Sequence, residues 1–159
     1  MDGDKISFDE ILQAVEPCLV ESIKYHGSKT KAEGAQYSDF CDAMIGRLFK
    51  INRQKTIDFL VNLYANGNAS DIQYGVIHLV SLFAQEHDEC EQQIDKLIGL
   101  GISSNDTGLE EMACEIAESV RSKGALELLL EYRCKLENEN REWMLKYVDE
   151  IISELKSEL

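Results

Sequence analysis

Proline and basic residues are scarce in this chain. Its 159 residues include one proline and ten glycines, too little turn-forming material for a β-sandwich or a linker-rich chain. Lysine and arginine number 16 against 30 acidic residues, which gives a net charge of −14 at pH 7. A protein this negative repels phosphate backbones. We therefore expect no direct binding of nucleic acid.

Long hydrophobic runs and paired cysteines are also missing. No stretch approaches the ~18 consecutive apolar residues that a membrane span requires. The acidic start, MDGDKISFDEILQAVE, has neither the basic nor the apolar region of a signal peptide. The five cysteines are odd in number and form no C-x-x-C pair: Cys18, Cys41, Cys90, Cys114 and Cys134. This usage predicts free thiols and a cytoplasmic protein without membrane contact.

Apolar residues at helical spacing run through the whole chain. Capping boxes, in which a Ser or Thr is followed three residues later by Glu or Gln, mark three helix starts: Ser7 with Glu10, Ser70 with Gln73, and Thr107 with Glu110. We expect Pro17 to kink or break the first helix, residues 27–36 to be a polar connection, and Gly124 to separate two helices. Because no segment alternates like a strand, the sequence predicts an all-α fold.

The spacing of the helix starts indicates a repeat. Helix pairs are predicted to begin near Ser38, Ser70, Thr107 and Asn140, at steps of 32, 37 and 33 residues. Steps of this size are typical of α-solenoids, in which antiparallel helical hairpins stack. An irregular helical bundle is the alternative. We expect a single domain over 1–159, with a capping helix and loop in 1–36 and helical-hairpin repeats in 37–159.

Two resemblances support this interpretation. The segments GLEEMACEIAESVRSKGALELLLEYR and NREWMLKYVDEIISELKSEL resemble degenerate HEAT-type repeats, with an Ala-rich first helix face and a Leu-rich second. In size, charge and helical architecture the chain is also similar to small acidic bacterial immunity proteins, including those of contact-dependent growth inhibition and other polymorphic toxin systems. The second resemblance implies a protein whose role is to bind a toxin.

No motif for catalysis or metal binding is present. His78, His87 and Cys90 are the nearest neutral metal ligands, but a single His-x-x-Cys pair falls short of a zinc site. The Glu-x-x-His motif of di-iron bundles, the Gly-x-Ser-x-Gly elbow, the P-loop and the dinucleotide fingerprint are all missing. We expect no metal, no cofactor and no enzymatic activity.

Acidic residues are concentrated in the later part of the chain. Residues 1–60 carry a net charge of −2 and residues 61–159 a net charge of −12, and between positions 86 and 118 ten acidic residues stand against Lys96 alone. They could be a solvated outer face, or they could complement a basic partner. Exposed aromatic residues would then anchor the partner, with Trp143 and Tyr147 as further candidates unless they are core. The predicted partner-binding residues are Glu86, Asp88, Glu89, Glu91, Asp95, Asp106, Glu110, Glu111, Glu115, Glu118, Tyr74 and Tyr132.

The charge and the second resemblance together predict a function. We expect an acidic protein-binding module that neutralises a basic toxin, such as a nuclease, by occluding its active site, as an immunity protein does. The alternative is a cytosolic helical-repeat adaptor or scaffold protein with no toxin partner.

Overall fold

The described part of the chain consists of helices and the short turns between them. A computed structural model describes residues 6–26, 31–67, 69–83 and 91–159, and their side chains except those of 31–38 and 91. The helices are α1 (Phe8–His26), α2 (Lys31–Ile51), α3 (Arg53–Asn66), α4 (Ser70–Phe83), α5 (Glu91–Ile102), α6 (Thr107–Val120), α7 (Lys123–Asn138) and α8 (Glu142–Glu158). These residues contain no β-strand, which confirms the all-α prediction.

Helix α1 begins as its sequence predicts but does not break where expected. The Ser7 hydroxyl accepts a hydrogen bond from the Glu10 amide at 3.2 Å, and the Glu10 carboxylate accepts one from the Ser7 amide at 3.1 Å. This confirms the first capping box. Pro17 lies inside a continuous helix. Because proline has no N–H group, the carbonyl of Gln13, four residues earlier, receives no helical hydrogen bond from position 17. Both residues lie on the exposed side of the helix, so water can solvate that carbonyl.

Helix α2 begins earlier than the spacing of the repeat predicted. It starts at Lys31, inside the segment 27–36 that was expected to be a connection, so Ser38 is not a helix start. The added turns contain lysine, alanine, glutamate and glutamine, which have a high intrinsic helix propensity. Residues 27–30 of that segment lie outside the described residues.

The residues that cap α6 and α7 are not the ones that the sequence predicted. Asp106, rather than Thr107, caps α6, because its Oδ1 accepts hydrogen bonds from the amides of Gly108 at 3.0 Å and Leu109 at 3.2 Å. Ser122 caps α7. The break between α6 and α7 therefore falls before Gly124, which lies in the first turn of α7.

Two compact units divide the chain, residues 1–79 and residues 80–159. In the first unit, α1 packs extensively against α2, and α2 packs against α3. Gly75 of α4 lies directly on α1, since a Cβ atom there would be 2.2 Å from the carbonyl oxygen of Ile23. A single domain over 1–159 stays a prediction.

The second unit consists of two helical hairpins. Helices α5 and α6 form one and α7 and α8 the other, while α5 also packs against α7 and α6 against α8. Both a short solenoid and a helical bundle can contain this arrangement. The hairpins are displaced by one helix from the prediction, which paired α6 with α7. The likeness to HEAT-type repeats stays a prediction.

The buried side chains of the second unit come from all four of its helices. They form the apolar layer between the hairpins and include Leu97, Ile98, Leu109, Ile116, Leu129, Val148 and Ile151. Within the described ranges, no helix is long and apolar enough to cross a membrane.

Candidate partner-binding surface

The structure describes the side chains of six of the ten predicted acidic residues, and three of these six make contacts within the fold. Glu86, Asp88 and Glu89 lie outside the described residues, and so does the side chain of Glu91. Asp95 and Asp106 make contacts within the fold. The Asp95 Oδ1 accepts a hydrogen bond from the Ser122 hydroxyl at 2.6 Å, and Asp106 caps α6. Both carboxylates therefore stabilise turns of the second unit.

Glu110 is an internal residue. Its side chain is 1% exposed, and its Oε2 accepts a hydrogen bond from Arg141 Nη2 at 2.7 Å. Lys135 Nζ lies 3.8 Å from Glu110 Oε1. The hydrogen bond from Arg141 to Glu110 raises the pKa of Arg141. Glu110 thus connects α6 to α7 and to the turn before α8, and it is not available to a partner.

The two tyrosines chosen as anchors are not well placed for that role. Tyr132 is 3% exposed, and burial, followed by the negative charge of Glu110, raises its pKa. Tyr74 is half-buried on α4, in the first unit. Tyr132 therefore does not present its ring to solvent, and Tyr74 does so only in part.

Three of the predicted glutamates do form a row. Glu111, Glu115 and Glu118 follow one another at intervals of four and three residues, which places them on one side of α6. Glu115 is exposed, and the other two are half-buried. Burial and the charges of Glu111 and Glu118 raise the pKa of Glu115. We call these three residues the acidic row.

The nearby arginines pair with other carboxylates. Arg141 binds Glu110 and Glu139, Arg121 binds Glu158, and Arg133 binds Asp149 and Glu137. Among the described residues, none of the acidic-row carboxylates lies within ion-pair distance of a lysine or arginine side chain. Arg121 is close enough to feel the charge of Glu118, but it forms its ion pair with Glu158, so the repulsion within the row is only partly offset.

An aromatic pair of one exposed and one half-buried ring lies on α8, the helix that packs against α6. Trp143 is 63% exposed and stacks on Tyr147, with ring centroids 6.1 Å apart and planes inclined by 24°. Helices α6 and α8 pack against each other, and the ion pairs of Glu110 with Arg141 and of Arg121 with Glu158 join their starts and their ends. Tyr147 of α8 therefore lies level with the middle of the row, and burial, followed by the charges of Glu118 and Glu115, raises its pKa. We call the five residues together the acidic–aromatic face: Glu111, Glu115, Glu118, Trp143 and Tyr147.

A signal for this pair was present in the sequence. Buried residues of α8 recur at Met144, Val148, Ile151 and Leu155, and this stripe is complete without Trp143. At about 100° of rotation per residue, Trp143 falls outside the stripe. The sequence alone left open whether Trp143 belongs to the core, and the helical register decides that it does not.

The acidic–aromatic face lies next to a buried cysteine. The neighbouring thiol of Cys114 is buried, and its pKa is raised to about 12 by burial and by the surrounding glutamates, so it stays protonated and unreactive at neutral pH. Among the described residues, no group of three His, Cys, Asp or Glu side chains is placed to hold a metal ion. Carboxylates beside an exposed indole suit a cationic partner.

Comparison with known proteins does not add to these observations. No protein-family model matches the chain, and neither a curated protein nor a solved structure gives a match.

Proposed function

We propose that this protein binds a basic protein partner through the acidic row, and that the partner is a toxin, with a nuclease as the case that fits best. The protein would then be an immunity protein of the cytoplasm. The observation that supports this is the acidic row, three carboxylates on one side of α6 without a lysine or arginine at ion-pair distance among the described residues.

A physical argument links such a row to a nuclease. Nucleases hold phosphates with clustered lysine and arginine, and an acidic surface can occupy the same cationic groove. The net charge of −14 would attract a basic partner over a distance and raise the association rate. Inhibition would be steric and electrostatic, with no chemical step.

The experiment uses a basic nuclease toxin encoded next to this protein's gene. The purified protein is expected to form a one-to-one complex with the toxin domain and to abolish its nuclease activity. If it neither binds nor inhibits the toxin, the immunity proposal is wrong, and an adaptor or scaffold role becomes the better interpretation.

Charge-reversal variants test the location of the binding surface. We expect the triple variant Glu111→Lys, Glu115→Lys, Glu118→Lys to slow association at low salt by about tenfold or more and to flatten its salt dependence. The matched control reverses the exposed Glu127, Glu131 and Glu150, which alters the net charge equally. Equal effects of both variants on the association rate would show that only net charge matters, and no effect of either would exclude electrostatic steering.

A further inference from the structure

The exposure of Trp143 is unusual for the largest apolar side chain of the protein. It is 63% exposed on α8, a helix that buries five apolar residues without it. Tyr147 stacks against it and supports the ring from one side. Exposed tryptophans that are held by a neighbour are the commonest anchors of protein–protein interfaces.

We infer that Trp143 and Tyr147, together with the acidic row, form a receptor for an arginine side chain of the partner protein. This inference rests on the proposed function and specifies the chemistry of its contact. The face of an indole attracts a cation because of the ring quadrupole. Carboxylates at its border would accept hydrogen bonds from the same cation.

Arginine fits this face better than lysine. Its guanidinium is planar, so it can lie flat on the indole while its N–H groups reach carboxylates at the side. Lysine offers a strongly hydrated point charge that gains less from stacking. The arginines of the second unit, Arg121, Arg133 and Arg141, bind Glu158, Asp149 and Glu110, so they do not fill the receptor.

Charge excludes the other occupants of such an aromatic patch. A second copy of the chain would bring another net charge of −14, and anionic lipids or nucleic acids would be repelled in the same way. A cation would relieve the repulsion between Glu115 and its neighbours Glu111 and Glu118. Charge complementarity therefore selects a basic protein segment.

The chain contains one tryptophan, so its spectroscopic signals report on this site alone. We would titrate the full-length protein with the blocked peptide of four arginines, and follow Trp143 fluorescence and its indole N–H resonance. A saturable change is expected. The peptide of four lysines should bind several-fold more weakly, and the peptide of four citrullines, which keeps the shape of arginine without its charge, should cause no change.

Variants then assign the contact to the proposed residues. The double variant Glu115→Gln, Glu118→Gln keeps Trp143 as the probe and should bind the arginine peptide with about tenfold lower affinity. The control double variant Glu127→Gln, Glu131→Gln should bind the peptide with unchanged affinity. For the variants that lack Trp143, peptide binding is measured by isothermal titration calorimetry. Trp143→Ala should abolish binding, and Trp143→Phe should retain part of it.

Each result has a definite meaning. The receptor proposal is wrong if the arginine and citrulline peptides bind equally well. It is also wrong if the two glutamine double variants lose the same affinity for the arginine peptide, or if Trp143→Ala binds that peptide as the unaltered protein does. If the toxin is still neutralised in that case, the proposed function stands and only its contact chemistry is wrong. If the arginine peptide binds as expected but no basic toxin does, the receptor stands and the immunity function is wrong.

Discussion

Glu110 and Glu111 are neighbours on α6, yet their carboxylates have different roles. Glu110 is buried and binds Arg141, whereas Glu111 is half-buried in the acidic row. One step along a helix turns the side chain by about 100°, so adjacent residues meet different surroundings. A net charge counted over a sequence window cannot separate the two, because both contribute −1 to it.

Removing the buried charge should cost far more stability than removing its neighbour. We expect Glu110→Gln to lower the free energy of unfolding by about 3 kcal/mol, because it removes the buried carboxylate that Arg141 binds and leaves Arg141 with only the more exposed Glu139 as an ion-pair partner. The control, Glu111→Gln, should change it by less than about 0.5 kcal/mol. Urea unfolding of the two variants at pH 7 measures the difference. Similar midpoints for both would show that the Glu110 ion pair does not stabilise the fold.

Helix starts were predictable where the signal is local. The capping box of Ser7 and Glu10 needs only residues within one turn, and the structure confirms it. The box of Thr107 and Glu110 is wrong, because Asp106 caps the helix and Arg141 holds the glutamate. Arg141 is 31 residues away in the sequence, so this competition could not be seen in the local pattern.

The close approach of α4 to α1 gives a test of helix packing. Gly75→Ala would place a Cβ atom 2.2 Å from the Ile23 carbonyl oxygen, a backbone atom that can move only with α1. We expect the variant to lower the free energy of unfolding by about 1–3 kcal/mol, although alanine has a higher helix propensity than glycine by about 1 kcal/mol. Thermal unfolding monitored by circular dichroism measures it.

A second helical glycine serves as its control. At Gly99 the nearest atom to an added Cβ is Leu128 Cδ2 at 3.6 Å, an ordinary contact. Gly99→Ala should therefore stabilise the protein by up to about 1 kcal/mol through helix propensity alone. If Gly75→Ala also raises the melting temperature, the tight contact between α4 and α1 does not exist as described.

The molecule as a whole carries a large charge imbalance. Its net charge of −14 includes the acidic row, where burial, followed by repulsion from Glu111 and Glu118, raises the pKa of Glu115. Self-repulsion of this kind destabilises a compact state and is screened by salt. Arg121 offsets part of the charge of Glu118, but among the described residues no lysine or arginine forms an ion pair with the row, which is why we connect the row with a partner.

Salt should therefore stabilise this protein. Raising NaCl from about 0.02 M to about 0.5 M at pH 7 is expected to increase the melting temperature by several degrees, because screening weakens repulsion between the carboxylates. KCl at equal ionic strength should have the same effect if screening is the cause. The variant Glu111→Gln, Glu115→Gln, Glu118→Gln should show a smaller rise. A melting temperature that falls with salt would mean that ion pairs outweigh the repulsion.

Periodicity and composition were sufficient to predict helices, the absence of strands and the negative charge, since each depends on residues close together in the chain. Only the packing of the helices decided which hairpins form, that Glu110 and Tyr132 are buried, and that the helix of Trp143 and Tyr147 lies against the helix of the acidic row. The physical reason is rotation: a helix turns about 100° per residue, and the neighbours it meets on each side come from distant parts of the chain.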